Sequence, residues 1–390
     1  MPHLIASITV EPANPPKAAC GVKAYLNEEK KENASLALLG ELDALRIPEH
    51  AYVNPETDAA HCCGHHAQMA GIFGAALALT VPEIAEKLGG QVVFFATPAE
   101  EYGEIEFKNQ LREQGKIRYG GGKCELIRTG AFDDIDLCLA HHIQPGDEIQ
   151  VGSGTGNGFV SKVIRYLGKA AHAAGAPDKG VNALSAASLG LQALGLNRET
   201  FRDEDCVRVH PIITKGGNLV NVIPDEIVIE TLVRAKTIEA FTDAAKKTDR
   251  SFQAGAVAMG AKVEITTLPG YLPTLAEQAL PELKRAAELA APEVPVREAA
   301  GHSGGSTDVG DVQHLMPVYT FNTGGVKGGL HQINFEVTNE EEAYIDTAKM
   351  FALAAYGLLK EKAARSKELV KNYKPVFKDS AEYTKFMEQF

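Results

Sequence analysis

Three short apolar runs early in this chain leave it few ways to fold. Leu36–Leu39 stops at Gly40, Gln91–Thr97 carries Val92-Val93-Phe94-Phe95 and stops at Pro98, and Ile135–Ala140 runs straight into His141-His142. Runs of four to eight apolar residues without polar alternation describe strands buried on both faces. Between the first two, Met69, Ile72, Phe73, Ala76 and Leu77 recur at helical spacing and predict a helix with that stripe inward. Alternating strand and helix predicts an α/β architecture, a mixed and largely parallel sheet with helices on both faces. Such sheets place ligands beyond the carboxyl ends of their strands, where the polar clusters following these runs would fall.

The pattern changes after Gly152-Ser153-Gly154-Thr155-Gly156-Asn157-Gly158, which reads as a flexible seam. Its glycines lack the third-Gly spacing of a nucleotide loop. Beyond it, Phe159–Leu167 reads as a strand and Val181, Leu184, Ala187, Leu191 and Leu194 as a helix stripe. Val207, Val209 and Ile212 read as a strand, Ile227–Val233 as a half-buried strand, Ile238–Met259 as a helix and Lys262–Thr267 as a last strand. This predicts a ferredoxin-like β-α-β-β-α-β module over 156–268, inserted into a discontinuous main domain of 1–155 and 269–390. A length of 390 residues suits two domains. Helix and strand then alternate again, with Val318–Phe321 a buried strand and Glu361–Phe390 a charged helical tail.

Composition narrows the partners. A net charge of −12 argues against nucleic acid, whose phosphates call for clustered Lys and Arg. No apolar run approaches the roughly 20 residues of a membrane span. Met1–Val10 lacks the basic start and long apolar core of a secretory signal. The six cysteines include adjacent Cys62 and Cys63 beside three histidines, which favours a reducing, cytoplasmic setting.

The clusters carry chemistry. His61-Cys62-Cys63-Gly64-His65-His66, Glu100-Glu101, His141-His142 and Leu330-His331 combine soft and borderline metal ligands with a spare carboxylate, the mixture a metal hydrolase needs. In an extended segment Cys63 and His65 would point the same way and reach one ion, and thiolate with imidazole suits zinc-like metals. Adjacent Glu100 and Glu101 would point apart, so that one binds metal and the other serves as general base. One of His141 and His142 should face the ligand edge. Gly301-His302-Ser303-Gly304-Gly305 fits the G-x-S-x-G elbow of serine hydrolases, with Ser303 as nucleophile and His331 as its base. Few residues follow Ser303 to supply the rest of a triad, and that reading leaves the other clusters unexplained.

The order of these motifs resembles the aminoacylase and carboxypeptidase superfamily of metal amidohydrolases, in the branch of hippurate, indoleacetyl-amino-acid and p-aminobenzoyl-glutamate hydrolases. Gly40-Glu41-Leu42-Asp43-Ala44-Leu45, Gly120-Gly121-Gly122-Lys123 and Ser306-Thr307-Asp308-Val309-Gly310-Asp311-Val312 carry the likeness further, from about residue 36 to 340. The resemblance implies two divalent ions, zinc or manganese with cobalt possible, held by Cys63, His65, Glu101, His142 and His331. It implies Glu100 as general base and Asp43 as the carboxylate that orients a ligand. His172, in Gly168-Lys169-Ala170-Ala171-His172, would polarise the scissile carbonyl, across a homodimer formed by the 156–268 lid and dimerisation module. Asn221 and Arg234 would contact a small amide substrate, Arg234 through a carboxylate. The implied reaction is amide hydrolysis of an N-acyl, N-aroyl or aminoacyl amino acid, with a dipeptidase or an arylamine deaminase as alternatives on the same metals. Unlike these relatives, the chain inserts Glu104–Tyr119 between the Glu pair and the Gly-rich Lys segment, and the insertion is expected at the site entrance.

Overall fold

A computed structural model describes residues 9–12 and 21–390; Cys20 and most of the Met1–Val10 segment lie outside the described residues. The main sheet has eight strands in the order Thr9–Pro12, Val22–Leu26, Gln91–Thr97, Ser35–Glu41, Leu137–Ile143, Val318–Thr323, Ile149–Val151 and Val296–Glu298. The four strands from Gln91–Thr97 to Val318–Thr323 run parallel, and Val22–Leu26 and Ile149–Val151 flank them antiparallel.

Alternation along each central strand feeds two cores. Leu36, Leu38, Val92, Phe94, Leu137, Leu139 and Phe321 pack against helices His65–Leu79, Pro281–Ala290 and Thr347–Asn372. Ala37, Leu39, Val93, Phe95, Cys138, Ala140 and Val318 face the other way, toward helices Gly122–Arg128 and Ser380–Met387. Burial on both faces is what makes these strands uniformly apolar. The charged tail is helical to Asn372 and again over Ser380–Met387, with a non-helical link over 373–379 and backbone angles that leave the helix at Lys360–Ala363.

The expected stripe on the His65–Leu79 helix is corrected. Phe73 and Leu77 are exposed, and the buried face is Ala67, Gln68, Gly71, Ile72, Ala75 and Leu79. A Cβ at Gly71 would fall 2.4 Å from Thr347 and one at Gly74 2.6 Å from Ala348. The neighbouring helix approaches so closely that small residues, not the largest apolar ones, decide which side goes inward.

The segment from 158 to 269 forms a separate antiparallel sheet in the order Arg208–Val209, Glu226–Ala235, Gly158–Leu167, Lys262–Pro269, with Ile212–Lys215 also on Glu226–Ala235. Helices Ala183–Leu196 and Ile238–Met259 cover one face through Ile164, Tyr166, Ile227, Ile229 and Phe252. Each helix starts at a side-chain cap: Asn182 accepts from Leu184 N and Ser185 N, and Thr237 from Ala240 N. The single strand expected around Val207–Ile212 is two pieces, because Pro211 has no N–H to donate to the ladder.

Two further expectations are corrected. The Glu104–Tyr119 insertion contains a helix, Ile105–Glu113, and does not border the ligand cavity described below. Instead Ile105 and Tyr119 join Tyr102 in one core with Phe159, Val163, Val228 and Leu268, so the insertion fills the space between the two sheets. The glycine seam is not loose: Thr155–Gly156 pairs with His302–Ser303, and a Cβ at Gly154 would fall 2.3 Å from Gly301 O. Glycine is there because backbones cross closely. Among the described residues Cys62, Cys63, Cys124, Cys138 and Cys206 are free, and no helix is long and apolar enough to cross a membrane.

Candidate metal centre

Four chain segments deliver the centre. Cys63 and His65 are brought together by a turn rather than by an extended segment, because Gly64 has φ +88° and caps the helix that begins at His65. A side chain could not sit at Gly64, where a Cβ would lie 2.1 Å from Ile143 Cγ2. His142 projects from the end of Leu137–Ile143, while its neighbour His141 points to the opposite face and bonds Thr323 Oγ1 at 2.8 Å. Glu101 follows the Gln91–Thr97 strand. His331 has φ +63° and donates its N–H to Cys62 O at 2.9 Å, which turns its ring back over the cluster.

The distances are short. Cys63 Sγ is 3.4 Å from His142 Nε2 and 3.2 Å from His331 Nε2. Glu101 Oε1 lies 3.2 Å from His331 Nε2 and 3.9 Å from His65 Nε2. Ligand atoms of Cys63, His65 and His142 form one group within 4.8 Å, those of Cys63, Glu101 and His331 a second, and those of Glu41, His65 and Glu100 a third. Asp43 sits behind: its Oδ1 is 3.3 Å from His65 Nδ1, its carbonyl oxygen 3.0 Å from the same nitrogen, and its Oδ2 accepts from Glu101 N at 2.9 Å. One carboxylate thus aims His65 Nε2 into the cluster and steadies the Glu101 backbone.

Glu41, Lys123 and Asp308 form a buried network that the motif reading left without roles. Lys123 Nζ donates to Glu41 Oε1 and to Asp308 Oδ1, each at 2.6 Å, and Lys123 N donates to Asp308 Oδ2 at 2.9 Å. Gln68 Nε2 bonds the other Glu41 oxygen at 2.8 Å, and that oxygen is 3.1 Å from His65 Nε2. The signal for Glu41 was present: it lies two residues before Asp43, in a strand whose odd-numbered residues Ala37 and Leu39 face the same core.

The electrostatics call for a cation. Burial, then Glu101, Glu100 and Glu41, push the Cys63 thiol far above its ordinary range. Burial, then Glu41 and Asp308, push Glu100 upward. Burial opposes charge on His65, yet Asp43, Glu41 and Glu100 outweigh it and raise the imidazole to about 10. Buried His65 Nε2 and Glu101 Oε1 lie 3.1 Å from Glu41 Oε2 and 3.2 Å from His331 Nε2, yet neither is aligned for a hydrogen bond among the described residues. A thiol, three imidazoles and crowded carboxylates with orphaned atoms aimed at one another fit divalent ions.

The cluster opens into a cavity of about 580 Å³, bordered by Cys63, Glu100, Glu101, His142 and His331, by the Gly152–Gly156 segment and by the 299–307 loop. Three expected residues do not reach it. His172 and Asn221 are exposed on the second sheet's loops, where His172 pairs with Val222. Arg234 stacks 5.1 Å over Phe159 and donates to Ser306 Oγ at 2.7 Å, standing behind the cavity wall. The serine-hydrolase reading gains no support: Ser303 Oγ accepts from Gly305 N and has no histidine partner among the described residues, and His331 lies against Cys63 and Glu101.

The chain is similar to known proteins. Residues 37–356 match Peptidase family M20/M25/M40. An Xaa-Arg dipeptidase of Mus musculus is 28% identical over 371 residues, 93% of this chain and 73% of that protein. Indole-3-acetyl-aspartic acid hydrolase of Enterobacter agglomerans is 26% identical over 231 residues, 56% of this chain and 48% of that protein. Among solved structures, a dinuclear metal-binding M20 peptidase of Bacillus subtilis superposes with a TM-score of 0.59 at 23% identity, covering 90% of this chain and 88% of that one. The chain belongs to Peptidase family M20/M25/M40, and it is an enzyme of the metallo-amidohydrolase class.

Proposed function

We propose that the chain hydrolyses the amide bond of an N-acyl, N-aroyl or aminoacyl amino acid, with Glu100 as general base. The observation that carries this reading is the division of labour between adjacent glutamates. Glu101 is engaged by His331 and lies close to His65, whereas the Glu100 carboxylate opens on the cavity beside the ligand atoms with no hydrogen bond among the described residues. Cys63, His65, Glu101, His142 and His331 would hold two divalent ions, zinc or manganese. When bound, these ions supply a lowered water pKa and a polarised carbonyl. Glu100 accepts the proton of the attacking water and passes it to the leaving amine nitrogen. Asp43 keeps His65 oriented throughout.

His172, Asn221 and Arg234 would act from the second sheet, and the 156–268 module would be lid and dimer face. Ile212, Ile213, Leu219 and Val220 are exposed on the same module as Asn221, apolar surface suited to a second copy of the chain. A partner's His172 would then complete the site. Free cysteines suit the cytoplasm. Similarity to the Xaa-Arg dipeptidase over most of the chain favours dipeptides as the first substrates to try.

The test is amine release from aminobenzoyl-glutamate, hippurate, acetyl-amino acids and dipeptides, with and without chelator, by wild type and Glu100→Gln. The variant should keep its metal and lose roughly two to four orders of magnitude in rate. Near-normal turnover would remove Glu100 from the role.

A further inference from the structure

Strand register creates a row of polar side chains that the reaction above leaves unused. Asn322 is paired with His142 on one side and with Gln150 on the other. Residues paired across adjacent strands share a face, so the three stand in line at the ~4.8 Å strand spacing. The face is fixed independently, since Phe321, Ile149 and Val151 point into the opposite core. Asn322 and Gln150 border the same cavity as the candidate ligands, together with Gln144.

The chemistry of this row is directional. Asn322 Nδ2 donates to Gln144 Oε1 at 3.3 Å, and Gln150 Nε2 donates to Glu148 Oε1 at 2.9 Å. Glu148 can only accept, so Gln150 donates its Nε2 there and turns Oε1 outward; Asn322, with its nitrogen toward Gln144, presents Oδ1, and neither oxygen has a hydrogen-bond partner among the described residues. Two neighbouring acceptors suit a donor with several hydrogens, such as an ammonium, and the charge of Arg297, next in register beyond Gln150, is offset by its ion pair with Glu148. An apolar group would desolvate them without return.

Sheet order says which half of the substrate lies there. Glu100 follows Gln91–Thr97, on one flank of the His142 strand, and the row lies on the other flank. A base that delivers its proton to the leaving amine has the amine half on its own side, so the acyl half extends along the row. We propose that Asn322 and Gln150 form the acyl-side subsite and select an acyl group bearing an amino group, so that aminoacyl amino acids are favoured over benzoyl or acetyl ones. This rests on the amide-hydrolysis reading and on Glu100's part in it.

The experiment compares kcat/KM for glycyl, β-alanyl, acetyl and benzoyl derivatives of one amino acid, using metal-loaded wild type, Gln150→Leu, Asn322→Leu and Asn322→Asp, with metal content measured for each. Wild type should favour an aminoacyl substrate by at least about 10-fold, and each Leu variant should cut the aminoacyl-to-benzoyl ratio by about 10-fold. Asn322→Asp, which keeps the acceptor and adds charge while the Gln144 amide can turn to donate to it, should lower KM for aminoacyl substrates, a gain that a damaged fold would not produce. An unchanged ratio in the Leu variants, or a wild type that prefers benzoyl or acetyl, overturns the subsite. Absence of chelator-sensitive hydrolysis of any amide sinks the amidohydrolase reading itself, and the subsite with it.

Discussion

Replacing Lys123 by Met isolates the buried network beneath the metal centre. The lysine is fully buried, and its ammonium makes charge-assisted bonds of 2.6 Å to both Glu41 and Asp308. Two such bonds, each worth about 1.5–3 kcal/mol, bound the loss at about 3–6 kcal/mol, and removal of one partner from a buried ion network gives about 3–5 kcal/mol. Met retains most of the stem's volume, so a cavity adds little. Burial opposes charge on Glu41, but Lys123 and then His65 hold its carboxyl at about 2. In the wild type Glu41 therefore stabilises the fold fully above its ordinary pKa of about 4.3, and that contribution is lost as pH falls toward 2. Without Lys123 the carboxylates rise in pKa and take up protons, so the variant's deficit should shrink between pH 8 and pH 5. Denaturant unfolding of both proteins at the two pH values measures this. A deficit below about 1 kcal/mol at pH 8, or one independent of pH, would refute the argument that a compensated charge cluster supports the centre.

Other outcomes are expected. Cys63→Ala should lower the bound metal measured by elemental analysis, and an unchanged content would take Cys63 out of the ligand set. Gly64→Ala forces a side chain into the left-handed region against Ile143 and should cost about 2–4 kcal/mol in thermal unfolding while also lowering metal content. Burial raises Glu277 to about 8, so wild-type stability from this group is full below about pH 4.3 and is lost as pH rises through 8. Glu277→Gln should therefore gain on the order of 2 kcal/mol over wild type at pH 9 and nothing at pH 4; equal curves at both pH values would discard this assignment.

The strands were legible because burial on both faces leaves a local mark, an unbroken apolar run with a sharp stop. Ser35–Glu41, Gln91–Thr97 and Val318–Thr323 each contain the run that announced them. The candidate ligands stood out for the same reason, since a parallel sheet gathers whatever follows those stops at one edge, and the residue types there suggest the chemistry. Less legible was the side that helices bury, because the closeness of Thr347 to Gly71 is a property of the partner helix.

Short-range order in the chain thus determined the α/β layering, the metal-hydrolase class and the adjacent carboxylates of Glu100 and Glu101. Long-range packing decided the rest. Lys123 meets partners 82 and 185 residues away, and a lysine in a glycine-rich segment carries no local sign that it will be buried. Asn322 and Gln150 align with His142 only through strand register, and the 104–119 insertion finds its place only between two sheets. Apolar periodicity records how much of a segment is buried; it holds no record of which distant charge or amide will stand opposite, because that is set when the sheets and helices pack together.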